Sequence, residues 1–104
     1  MKKDTHFTDI IFRVDTTADF KGTVFALFPH EVADHSGNVT SYQHVGQHSA
    51  ADFLYCIGSS RPATPAEYKD LLAEMEGLGY NIKVRQKINQ KKYIESYRKV
   101  MSSY

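Results

Sequence analysis

The chain has 104 residues and a mass of 11.9 kDa, room for one domain and hardly for two. Its 41% hydrophobic and 24% charged residues argue against disorder, and no apolar run approaches the roughly 18 residues that span a bilayer. A net charge of +1 hides an asymmetry: residues 4–80 hold four bases against eleven acids, whereas residues 81–104 hold seven bases against one acid.

Met1 to His6 lead into Phe7–Val14 without a long apolar stretch or a small-residue cleavage site, so no secretion signal is expected. In that segment Ile10, Phe12 and Val14 alternate with Ile11 and Arg13, the pattern of a strand. Thr16 to Gly22 reads as a hairpin connection, and Thr23 to Phe28, apolar on both faces, as a second, central strand that Pro29 ends. Residues 30–38 form a polar loop turning at Ser36-Gly37-Asn38. Val39 to Val45 is a third strand, stopped near Gly46. Over residues 49–58 helix and strand compete. Ser49 with an acid three residues on, at Asp52, resembles a helix start, which favours a short helical turn running into a strand.

The clearest helix follows. Thr64 can cap it, Pro65 suits its first position, Glu67 completes a capping box, and Tyr68, Leu71, Leu72 and Met75 make one apolar stripe before Gly77 and Gly79 stop it. Ile82 to Ile88 alternates as a strand with one basic face. Tyr93, Tyr97, Val100 and Met101 then mark an amphipathic C-terminal helix. The predicted fold is α+β: one domain over residues 1–104, with a mainly antiparallel sheet of four to five strands and two helices packed on one face. Residues 89–104 form a C-terminal helical extension.

Four histidines, His30, His35, His44 and His48, fall within 19 residues, and with Glu31, Asp34 or Asp52 they could ligate zinc, iron or another divalent metal if three or four converged on one ion. No His-Glu-x-x-His or paired-cysteine spacing supports that convergence. Cys56, the one cysteine, cannot form an intramolecular disulfide, which fits a reducing cytoplasm; within Phe53–Ile57 it reads as a small core residue, a nucleophile only beside His44 or His48. Ser49, His48 and Asp52 are too close in sequence to suggest a triad and lack a nucleophile elbow, and no glycine loop suggests phosphate binding, so no catalytic residue is predicted. Lys83, Arg85, Lys87, Lys91 and Lys92 form a basic segment that could contact nucleic acid through phosphates, with Tyr93 and Tyr97 available for stacking if exposed.

Leu27-Phe28-Pro29, the run Ser41-Tyr42-Gln43-His44-Val45-Gly46-Gln47-His48-Ser49-Ala50-Ala51-Asp52, and Arg61-Pro62-Ala63-Thr64-Pro65 together resemble a group of small proteins encoded on bacterial phages and other mobile elements. The resemblance covers roughly residues 10–88 and leaves Lys91 to Tyr104 beyond the shared part. It implies a bacterial or phage cytoplasm and an accessory role, with no activity or catalytic residue to carry over.

Tyr42 to Asp52 is polar, rich in His and Gln, and poor core material. It is either a hydrogen-bonded turn built around Gly46 or a binding surface. Three functional expectations follow. The first is a non-enzymatic cytoplasmic protein that binds a macromolecular partner through Tyr42, His44, Gln47, His48 and Asp52. The second is a nucleic-acid-binding module using the basic segment. The third is a metal-binding protein or metal-dependent hydrolase built on the histidines. A homodimer is compatible with the acidic body and basic end, as is pairing of those charges within one chain.

Overall fold

The computed structural model describes residues 6–43 and 47–102. Its elements are β1 (Thr8–Asp15), β2 (Val24–Val32), β3 (Val39–Gln43), β4 (Gln47–Ala51), α1 (Phe53–Gly58), β5 (Ser60–Pro62), α2 (Pro65–Gly77), β6 (Ile82–Val84) and α3 (Gln90–Ser102). The α+β class and the mainly antiparallel sheet are as expected. The strands run in the order β4-β3-β2-β1-β5, with β6 added to β1. The β1 edge is divided between two short strands: β5 pairs antiparallel with Arg13–Asp15, and β6 pairs parallel with Thr8–Ile10. That division explains why the predicted strand 82–88 stops at Val84. After Arg85 N–H bonds to the Ile10 carbonyl, the next part of the β1 edge belongs to β5.

Alternation along β1 and β2 builds two cores, one on each face of the sheet. Ile10, Phe12, Val14, Ala26, Phe28 and Tyr42 face α2, which inserts Leu71 and Met75, and Phe12 stacks on Tyr68 with ring centroids 4.5 Å apart. Ile11, Phe25, Leu27 and Val39 face the other way, covered by Phe53, Cys56 and Ile57 of α1 and Tyr93 of α3. The helices therefore lie on both faces rather than one. The central strands have the sequence for it, because β1 and β2 are apolar on both sides and each side needs a cover. The C-terminal helix packs on β2 as part of this second layer: Tyr93 Oη donates to the Gly37 carbonyl at 2.8 Å and Val32 N–H donates to Ser96 Oγ at 2.9 Å.

Two local expectations are corrected. Pro29 does not end β2, because the β2–β3 register shifts between Phe28 and Val32 and this bulge accommodates a residue with no N–H to donate. Residues 49–58 run in the reverse order, strand then helix. Asp52 rather than Ser49 is the cap, its carboxylate accepting Tyr55 N–H at 3.0 Å, while Ser49 pairs across the hairpin with Ser41. By contrast, the capping box of α2 is as predicted, with Thr64 Oγ1 accepting Glu67 N–H and Glu67 Oε1 accepting Thr64 N–H.

Candidate functional site

The region around residues 41–52 folds as the β3–β4 hairpin, in register from Gln43 opposite Gln47 to Val39 opposite Ala51. β4 is the last strand of the sheet path, with no strand on its outer side among the described residues. Its sequence, Gln-His-Ser-Ala-Ala, holds no formal charge at neutral pH with His neutral and no proline, and His48, Ser49 and Ala50 are exposed. The opposite margin is of another kind. β5 and β6 have three residues each and carry Arg61, Pro62 and Lys83. Short edges bearing charge or proline resist strand addition, whereas a five-residue neutral edge presents unpaired backbone groups to any extended chain.

Side-chain alternation gives β4 two distinct flanks. On the α2 side, the His48 ring meets Tyr42 edge-on at 4.7 Å between centroids, and its Nε2 lies 3.0 Å from Tyr80 Oη. Tyr80 packs against Phe28 at 5.5 Å; burial pushes its phenol up, and Glu31 adds to the effect. Tyr42 Oη in turn donates to Glu74 Oε2. On the other side, Ser49 Oγ lies 2.9 Å from Ser41 Oγ. Beyond Ala51 a hollow of about 320 Å³ opens among Asn38, Asp52, Phe53, Leu54 and Tyr93. Leu54, which lines it, is 81% exposed, and Tyr55, next in the chain, is 69% exposed. Of the predicted partner-binding residues, Tyr42 is buried beneath His48, and Asp52 is committed to capping α1. Gln47 opens β4, and His44 lies outside the described residues.

The basic segment is organised by Asp9, which sequence reasoning missed. Asp9 Oδ1 accepts Arg85 Nε at 2.8 Å; Oδ2 accepts His30 Nδ1 at 2.9 Å and Lys92 Nζ at 3.2 Å. Burial alone would raise this carboxyl, but the hydrogen bonds from Arg85, His30 and Lys92 outweigh it and hold the group at about 2. His30 Nε2 accepts the Asn89 N–H at 2.7 Å, which places the ring proton on Nδ1 and fixes the start of α3 to β2. Arg85 and Lys92 therefore face a carboxylate of their own chain, and the expected row of three bases on one strand is cut short at Val84. Lys83 sits 5.0 Å above the ring of half-exposed Phe7, while Lys87 and Lys91 are exposed.

The histidines are dispersed. His30 is held by Asp9 and Asn89, His48 by Tyr80, and His35 lies in the loop between β2 and β3. Among the described residues no three His, Cys, Asp or Glu side chains come together as a metal-binding group. Asp34 bonds within its own loop, to Ser36 N–H and both nitrogens of Asn38, and the Asn38 side chain leads in lowering its carboxyl. Cys56 is half-buried on α1, and burial, with Asp52 and Asp15 adding, pushes its thiol up and away from the thiolate a nucleophile needs. His48 and Ser49 project to opposite sides of β4, so the neighbouring Ser, His and Asp do not form a triad. No helix among the described residues is long and apolar enough to cross a membrane. No family model, curated protein or solved structure matches the chain.

Proposed function

We propose that the chain is a small accessory protein that binds a protein partner by accepting an extended strand along β4. The observation that carries this reading is the contrast between the two margins of the sheet: β4 is five residues long, carries no formal charge with His neutral and exposes His48, Ser49 and Ala50, while β5 and β6 are short and carry Arg61, Pro62 and Lys83. Backbone pairing would supply affinity, and side chains flanking the strand would supply selectivity. His48 stands on one flank, and the hollow beside Phe53 and Leu54 lies at the end of the strand. The setting we infer is a bacterial or phage cytoplasm. Supporting this setting is the single free Cys56.

A photo-crosslinking residue placed at Ser49, in the full chain expressed in its native cells, tests the reading against the same residue at Arg61. Protein adducts at position 49 and few at 61 are expected. Equal yields at both positions, or nucleic-acid adducts alone, would overturn it. His48→Ala should reduce the adduct yield while leaving the circular dichroism spectrum unchanged, since His48 is exposed and covers Tyr42 without entering the core.

A further inference from the structure

We infer that the strand taken up by β4 is β4 of a second copy, so that two chains join antiparallel into one continuous sheet about a two-fold axis through Ser49. This rests on the docking reading above and names its partner. Such an axis would set Ser49 against Ser49, His48 against Ala50 and Gln47 against Ala51, so the bulkier residue of each unlike pair meets an alanine. No formally charged residue lies within β4, and the nearest acid in the sequence beyond it, Asp52, falls at opposite ends of the two strands. Like charges directly opposite one another, which would forbid self-pairing, are therefore absent from the paired residues.

The rest of the sheet argues for closure at two copies. An open strand edge on a chain that constantly meets itself must be guarded, closed by symmetry, or left to polymerise. The β5/β6 margin is guarded by its shortness and by Arg61, Pro62 and Lys83. Among the described residues, joining at β4 thus consumes the one long neutral edge and leaves none to propagate. A two-fold axis perpendicular to the sheet also keeps α1 of both copies on the same face. Exposed Leu54 of each copy then lies within three residues of the end of its joined strand. Five-residue strands bury less than a standard interface, so a reversible, concentration-dependent dimer is expected rather than an obligate one.

Native mass spectrometry and sedimentation over a concentration series test this with three chains: wild type, Ser49→Lys and Ser49→Glu. The wild type should shift from one chain to two on concentration. Each variant alone should associate at least tenfold more weakly, because identical charges would meet at the axis, and an equal mixture should form heterodimers of one Lys and one Glu chain. The double variant His48→Lys/Ala50→Lys, which sets Lys against Lys at both unlike pairs on the other face of β4, repeats the test should position 49 disturb the Ser41–Ser49 contact. A wild type that stays a single chain throughout would overturn the second-copy inference. Crosslinks from position 49 to a foreign protein would then keep the docking reading. A dimer that Ser49→Lys and the His48→Lys/Ala50→Lys double variant leave unweakened would place the interface elsewhere and contradict the inference, while the crosslinking contrast judges the reading separately.

Discussion

Asp9 lies between Thr8 and Ile10 on a strand whose following residues are buried, and it survives there by drawing three donors onto two oxygens. Its folded carboxyl, at about 2, lies below the ordinary 3.8, so the stabilisation it brings is complete above that ordinary value and is lost as pH falls towards 2. Arg85 and Lys92 are half-exposed, and with solvent screening the effect is on the order of 1–2 kcal/mol. Urea unfolding at a series of pH values should show the wild type losing that increment between about pH 4 and pH 2, while Asp9→Asn starts lower and falls less steeply. Gly37 makes a second residue-scale prediction. Its φ of +82° suits glycine, and a Cβ there would come within 2.8 Å of Tyr93 Oη. Gly37→Ala should cost at least about 1–2 kcal/mol in urea unfolding, from the left-handed backbone alone. Little of this was legible in the sequence. A carboxylate beside an apolar run is a visible anomaly, but its partners lie 21, 76 and 83 residues away and only the fold brings them together.

At the scale of elements, legibility followed local signals. The capping box at Thr64, the stripe ending at Met75 and the alternation in Ile10–Val14 each specify an element from its own residues, and each formed as expected. Thr64→Ala should therefore lower stability by about 1 kcal/mol in thermal or urea unfolding, since it leaves an amide of the first turn without its cap. Met75→Ala, at a position with no exposure, should cost about 2–5 kcal/mol by the same measurement. Elements decided by their neighbours were not legible. Ile82–Ile88 alternates to its end, yet only three residues find a place on the β1 edge. Pro29 persists within β2 because a bulge beside β3 removes the need for its N–H. Residues 49–58 hold two rival helix caps, and pairing of Ser49 with Ser41 in the hairpin leaves Asp52 as the one used.

At the scale of the molecule, the two-sided apolar character of β1 and β2 demands cover on both faces, and α2 on one side with α1 and α3 on the other provides it. The charge asymmetry of the chain is partly spent internally, at Asp9, where Arg85 and Lys92 meet a carboxylate of the acidic body. Among the described residues, the margin left open is the one at β4. The sequence marked Tyr42–Asp52 as poor core material, but that its outer part is a sheet edge emerged only from the strand order. Amide hydrogen exchange resolved by residue, in dilute and in concentrated protein, tests that edge most directly. Alternate amides of Gln47–Ala51 should exchange quickly in dilute protein and slow on concentration, while those of β5 and β6 do not change. Amides of β4 that are all as slow as those of β2 in dilute protein would contradict it, because the edge would already be closed.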